Sequence, residues 1–224
     1  MTKKAVALLS GGMDSIVAAA MVAQDGYEIY ALTVSYGQRH AREIEYSKLL
    51  AKWLEVRKHE IIELPIAKLL KSALTDPVAD VASDAEMIGR KIPSTYVPAR
   101  NTMLLSIALA WAESLGADAI IIGANSIDYS GYPDCRPEFI EAFQNLMGTA
   151  TRRGVEGRPI RVLAPLITLS KGDIVHNGME LNVPFEYTWS CYRGGSNPCG
   201  ECESCLLRKK GFESVGIRDP AEKE

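Results

Sequence analysis

No apolar run in this sequence exceeds eight residues. The longest, IVAAAMVA from Ile16 to Ala23, falls far short of the ~20 residues that cross a bilayer as a helix. The opening MTKKAVALLSGG offers five apolar residues before Ser10, too few for the core of a secretion signal. Neither a membrane span nor a signal is expected, and the expected location is the cytoplasm. Excess positive charge is missing too. A formal net charge of -3 and a pI near 5.7 give no broad basic footprint for a nucleic-acid backbone, so small molecules are the expected partners. Internal repeats and low-complexity tracts are absent. The three histidines, His40, His59 and His176, are too few and too scattered to build a cluster. At 47% apolar and 24% charged over 224 residues, the chain reads as a folded globular protein able to bury roughly 70% of its unfolded surface.

What the sequence does contain is a set of short, nearly continuous apolar runs: AVALLS (5–10), IYALTVSY (29–36), EIIEL (60–64) and DAIIIG (118–123). This is the pattern of strands covered on both faces. Helical spacing fills the intervals. In NTMLLSIALAWAESLG, the positions Leu104, Ile107, Ala108, Trp111 and Leu115 recur at helical steps, with Asn101 as the expected N-cap and Gly116 as the stop. Alternating strand and helix predict a parallel sheet with helices on both faces. Ligands of such sheets gather at the carboxyl ends of the strands. SGGMDS, SYGQRH and GANSIDYSG each follow a predicted strand and converge there, and a further helix is expected from Arg136 or Pro137. The stretch 68–98 fits a short helix and an excursion. Beyond about Pro184 the periodicity fails: a compact irregular module leads into a last helix, and GIRDPAEKE reads as a loose tail.

The turn after the first run is the most informative stretch. In LLSGGMDS, from Leu8 and Leu9 through Ser10, Gly11, Gly12, Met13, Asp14 and Ser15, glycines let backbone N–H groups approach an anion closely while the following helix points its positive end at the same place. No Gly-Lys-Ser/Thr follows, which sets the turn apart from kinase and GTPase loops. Asp14 beside a bound anion suits a Mg²⁺ that bridges phosphates; the plainer alternative is a tight turn with Asp14 as a helix cap. Ser-Gly-Gly-x-Asp-Ser at a strand-to-helix junction resembles the pyrophosphate loop of the ATP pyrophosphatase superfamily. That resemblance implies ATP cleaved between its α and β phosphates and an acid or amide activated as an adenylate. Charge on the leaving pyrophosphate then needs neutralising, for which Lys171 in LSKGDIV and Arg100 in VPARN are the candidates. A surface lysine heading a helix is the alternative for Lys171.

Cys191, Cys199, Cys202 and Cys205 fall within 15 residues as C-x7-C-x2-C-x2-C. Four thiolates at this density, with glycines at 194, 195 and 200, suit a closed tetrahedral Zn²⁺ site of structural type. An iron–sulfur cluster and redox-active pairs are the alternatives. Cys135 is left over as a small, partly buried residue.

Three polar loops remain, SYGQRHAREIE, VPARNTM and NSIDYSGYPDCRPEF. Tyr129 and Tyr132 offer planar faces, while Asp128, Asp134 and Glu138 can accept hydrogen bonds from an edge such as guanine's N1–H and 2-amino group. SGGMDS, YGQRH, VPARN, DYSGYPDCR and TWSCYRGG followed by CGECESC occur in the order, and nearly at the spacing, of the 7-cyano-7-deazaguanine synthase family of queuosine biosynthesis, which this chain resembles along almost its whole length. The resemblance implies a three-layer α/β sandwich with a parallel sheet, of the adenine nucleotide alpha hydrolase-like type, with a small C-terminal zinc module. The implied division is 1–183 for the ATP-cleaving domain, 184–215 for the four-cysteine module and 216–224 for the tail. It implies an ATP-dependent carbon–nitrogen ligase that converts 7-carboxy-7-deazaguanine and ammonia to the nitrile through an adenylated acid and an amide, as a homodimer without nucleic acid. Substrate contacts are expected from Tyr36, Gln38, Arg39, Asn101, Asp128, Tyr132, Asp134 and Arg136. With four cysteines committed to metal and no second domain for a glutaminase, free ammonium is the expected nitrogen source. The chain departs from the family pattern at the alanine of VPARN and in the segment before it. The rival readings are a tRNA-modifying enzyme of the same superfamily and a non-catalytic ATP-binding zinc module.

Overall fold

The computed structural model describes residues 2–37, 41–76, 92–127 and 131–221. Five strands, β1 (Lys4–Leu8), β2 (Glu28–Ser35), β3 (Lys58–Glu63), β4 (Ala119–Ile121) and β5 (Arg161–Leu163), pair in parallel in the order β3-β2-β1-β4-β5. The helices are α1 (Met13–Gln24), α2 (Ala41–Trp53), α3 (Arg100–Leu115), α4 (Pro137–Ala150), the short α5 (Arg152–Val155), α6 (Lys171–Glu180) and α7 (Glu203–Ser214).

Successive side chains of a strand point to opposite faces, and the sheet sorts its residues accordingly. Ala5, Ala7, Ile29, Ala31, Ala119 and Ile121 pack on one side with Ile16 and Val17 of α1, Leu50 of α2, Ile174 of α6 and Phe212 of α7. Val6, Leu8, Tyr30, Leu32, Ile120 and Ile122 pack on the other with Leu105 and Ala108 of α3 and Phe143 and Met147 of α4. The result is the expected three-layer sandwich. Alanines on both β1 and α1, where Ala18 to Ala20 are buried, let that helix lie close on the sheet.

Two local readings of α3 change. Its N-cap is Ala99, in the left-handed region at φ 53° and without a side-chain cap, and Asn101 lies inside the helix. The Asn101 N–H is met instead by the Asp134 carboxylate at 3.0 Å. The deepest positions are Leu105, Ala108, Leu109 and Ala112, with Leu104, Ile107, Trp111 and Leu115 flanking them. Gly116 ends the helix at φ 65°, as expected.

The sequence from Pro184 onward contributes side chains to the core of the sheet. Phe185 and Phe212 meet edge to face at 5.2 Å inside the core that also holds Ile16 and Ile174. The described part of the last segment is anchored at Asp219. Asp219 is 7% exposed and pairs with the buried Arg208, because two charges leave water together only when each satisfies the other.

β1 is flanked by β2 on one side and β4 on the other, so the connections diverge from it. This switch point opens a crevice at the carboxyl ends of β1 and β4.

Candidate functional site

A cavity of about 230 Å³ fills that crevice. Its floor is the turn after β1. Gly11 takes φ +83°, and a β-carbon there would stand 2.2 Å from the Glu43 carbonyl oxygen of α2, so only glycine lets α2 close over the turn. Gly12 is the N-cap of α1 and has no side chain to cap it, which leaves the first-turn N–H groups for an anion. The two serines preorganise the turn. Ser10 Oγ donates to Ser15 Oγ at 3.1 Å, Gly12 N–H donates to Ser10 Oγ at 3.3 Å, and the Ser15 hydroxyl donates to the Gly12 carbonyl at 2.9 Å. Ser15 is thereby committed to the turn. Leu8, Leu9 and Met13 line the same cavity.

Asp14 does not cap α1. Its carboxylate accepts two hydrogen bonds from Lys171 Nζ, at 2.9 and 2.8 Å, and Lys171 is 5% exposed rather than on the surface. Lys171 is held there because Ser170 and Asp173 form a capping box that fixes the start of α6. Its aliphatic stem also lies against Gly211 of α7, where a β-carbon would stand 2.6 Å from Lys171 Cγ. The two residues are 157 positions apart in sequence and meet at the mouth of the turn.

The opposite wall contains Tyr36, Arg100, Asn101, Tyr132 and Cys135. Tyr36 and Arg100 are hydrogen-bonded, and burial pushes the Tyr36 phenol above its ordinary value against the pull of the Arg100 cation. Burial likewise pushes the Cys135 thiol up to about 11, again opposed by Arg100, so Cys135 is protonated near neutral pH. Tyr132 Oη shares a 2.6 Å hydrogen bond with Thr95 Oγ1. Asp134 stands behind this wall. One carboxylate oxygen takes the Asn101 N–H and its backbone carbonyl takes Asn101 Nδ2 at 2.8 Å, while the buried Oδ1 has no partner among the described residues. Arg136 is the exposed N-cap of α4 and is not part of the cavity wall, and Glu138 is exposed as well. Gln38, Arg39, Asp128 and Tyr129 lie outside the described residues.

Several cavity residues carried no chemical signal in the sequence. Asn125, after β4, is buried and donates Nδ2 to the Leu169 carbonyl, holding the approach to α6. Glu43, Trp189, Ser190 and Arg208 also line the cavity. A buried arginine within LLRKKG looks like one more charge on a solvated face.

The four Sγ atoms of Cys191, Cys199, Cys202 and Cys205 lie within 4.8 Å of one another. Cys199 and Cys205 are 3.9 Å apart, close to the ~3.8 Å edge of a sulfur tetrahedron with metal–sulfur distances of ~2.3 Å. Backbone N–H groups of Cys199, Glu201, Cys202 and Tyr192 point at these sulfurs at 3.3 to 3.5 Å, an environment that favours thiolates. The donor set fits one metal ion with no position left open. Trp189 bridges this cluster to the turn: its Nε1 donates to the Cys191 carbonyl and its backbone N–H to the Gly11 carbonyl, both at 2.9 Å.

A family model described as queuosine biosynthesis protein QueC matches residues 4–216. The chain is 50% identical over 222 residues to the 7-cyano-7-deazaguanine synthase of Ralstonia pickettii, covering 98% of each. It is 50% identical over 222 residues to that of Thermoplasma acidophilum, covering 99% of this chain and 92% of the other. The corresponding enzyme of Coxiella burnetii is 51% identical over 222 residues, with 98% and 97% covered. Among solved structures, NMN synthetase from Francisella tularensis is similar in fold, with a TM-score of 0.50 and 16% identity, across 97% of this chain and 78% of that one. A predicted subunit of tRNA methyltransferase from Methanocaldococcus jannaschii is similar to the same degree, with a TM-score of 0.50 and 16% identity, across 99% and 92%.

Proposed function

This chain belongs to the queuosine biosynthesis protein QueC family, and from that premise we propose how its cavity carries out an ATP-dependent ligation. The chain is a carbon–nitrogen ligase whose product is 7-cyano-7-deazaguanine. The observation that carries the residue-level reading is the Asp14–Lys171 pair standing over an uncapped, glycine-lined helix start, across one cavity from Tyr36, Arg100, Asn101 and Tyr132.

In this reading the turn from Leu8 to Ser15 holds the triphosphate. The carboxylate of 7-carboxy-7-deazaguanine attacks the α-phosphorus, the bond to the β-phosphate oxygen breaks, and pyrophosphate leaves toward Lys171 and the first turn of α1. Arg100 neutralises the carboxylate and then the acyl phosphate. Ammonia adds to the activated carbonyl and AMP departs, giving the amide. The amide oxygen then attacks the α-phosphorus of a second ATP and releases pyrophosphate; loss of both protons from nitrogen and departure of AMP leave the nitrile. Mg²⁺ is the ion Asp14 would hold with the phosphates, and when bound it supplies further charge neutralisation. Tyr36, Asn101 and Tyr132 form the wall for the heterocycle, and Asp134 orders that wall through Asn101.

The four cysteines hold Zn²⁺ as a structural ion in this reading, in a module of residues 184–215 attached to the nucleotide-binding part, 1–183. Free ammonium is the nitrogen source, because Cys135 stays protonated and the other cysteines sit in the cluster. We also infer a homodimer in the cytoplasm without a nucleic-acid partner. Among the described residues no helix is long and apolar enough to cross a membrane. Sedimentation reports the dimer directly.

The test is incubation with Mg·ATP, ammonium and 7-carboxy-7-deazaguanine, with mass spectrometry for the nitrile and separate assays for AMP and ADP. Nitrile with AMP is expected. ADP in place of AMP overturns the adenylation, and ATP cleavage indifferent to the deazapurine acid overturns the ligase assignment.

A further inference from the structure

The cavity has a third wall, which neither the glycine turn nor the substrate loops supply. It comes from the segment leading into the cysteine cluster. Trp189 N–H donates to the Gly11 carbonyl at 2.9 Å, and a β-carbon on Gly12 would stand 3.4 Å from the Trp189 carbonyl oxygen. The segment therefore rests directly on the turn. Ser190, next in the chain, lines the cavity together with Ser10, Gly12, Asp14 and Lys171.

The Ser190 hydroxyl is oriented from behind by Arg208 of α7. Arg208 Nη1 donates to Ser190 Oγ at 3.3 Å and to Thr188 Oγ1 at 2.6 Å, and Nη2 donates to the Phe185 carbonyl at 3.0 Å. Nε and Nη2 are held by the two Asp219 carboxylate oxygens at 2.6 and 2.8 Å. The guanidinium is spent on protein groups, so it is a poor direct ligand for a phosphate despite facing the cavity. Ser190 is different. Its oxygen accepts from a buried cation, and among the described residues its O–H donates to no protein group. A hydroxyl polarised in this way and facing a cavity with Lys171 and free helix N–H groups fits an anionic oxygen.

We propose that Ser190 is a pyrophosphate-binding residue of the site, with Arg208 and Asp219 as its positioning residues. This deepens the reading of the cavity as the place where pyrophosphate is released, and rests on it. The cysteine module thus contributes a ligand-contacting side chain in addition to its metal.

The test is calorimetric binding of Mg·pyrophosphate to the metal-loaded protein and to its Ser190→Ala, Ser190→Thr and Arg208→Lys variants and the Ser190→Ala/Arg208→Lys double variant. Loss of one charge-assisted hydrogen bond predicts about tenfold weaker binding for Ser190→Ala. Ser190→Thr, which keeps the hydroxyl, is expected to bind as wild type does. Arg208→Lys is expected to weaken binding in the same direction, and the double variant to bind no worse than the weaker single one, because both changes remove the same contact. In Ser190→Ala the melting temperature and zinc content should be unchanged, with KM for ATP raised and KM for the deazapurine acid unmoved. Wild-type pyrophosphate affinity in Ser190→Ala, or additive losses in the double variant, overturns the proposal. Wild-type protein that binds no pyrophosphate is a separate failure, which removes the reading of the cavity itself.

Discussion

Asp14 accepts two hydrogen bonds from Lys171 at a position where the lysine has little access to water. Asp14→Ala removes that counter-charge as well as the carboxylate proposed for the metal. Nitrile formation should fall at least about a hundredfold, and urea denaturation should show a loss of about 1–3 kcal/mol. Ala99 makes the opposite prediction. Its φ of 53° is a region where a side chain costs about 1 kcal/mol or more. Ala99→Gly should therefore raise stability, by up to about 1 kcal/mol after the extra chain entropy of glycine is counted, readable as a higher Tm. His59 introduces a pH dependence. Thr33 donates its hydroxyl to the Leu9 carbonyl at 2.6 Å, so His59 Nε2, 2.8 Å away, is the donor to Thr33. Burial, with help from Lys48, holds the imidazole below its ordinary 6.5. The neutral ring is favoured in the fold, so its contribution to stability is complete above that value and is lost as pH falls through the lowered pKa. His59→Gln should flatten the decline of Tm as pH falls below about 6.5.

Among the elements, α6 and α7 depend on each other most directly. Gly211 faces the Lys171 stem, and a β-carbon there would also stand 3.1 Å from the Lys171 carbonyl oxygen. Gly211→Ala should push α7 outward, costing about 1–3 kcal/mol in a thermal melt and lowering kcat because Lys171 moves with it. The sheet's interior was legible in the sequence because β1, β2 and β4 are covered on both faces and carry unbroken apolar runs. β5 was not legible: it is three residues long, at the sheet edge, with Arg161 exposed. In α3 the exposed stripe is narrow, Thr102, Ser106, Ala110 and Ser114, and the apolar face is wide, so its period does not select the deepest positions, which include Leu105 and Leu109. The turn and the cysteines could be read because a short spacing encodes each of them. No local spacing encodes the pairing of Asp14 with Lys171 or of Arg208 with Asp219, which exist only once α6 and α7 are packed.

At the scale of the molecule, the cysteine cluster and the glycine turn after β1 form one mechanical unit through Trp189, whose ring nitrogen holds the Cys191 carbonyl while its backbone holds Gly11. Cys202→Ser should lower metal content and melting temperature together, and chelation of the wild type should weaken pyrophosphate binding before the sheet unfolds. A variant that is metal-free yet equally stable would contradict the structural role of the ion. The same link orders events during synthesis. All five strands have left the ribosome once Leu163 has emerged, yet the turn at Gly11 still waits for Trp189, and Arg208 waits for Asp219. Until Ile174, Phe185 and Phe212 follow, one face of the sheet also lacks part of its cover, so the cavity is completed only by the last residues to be made.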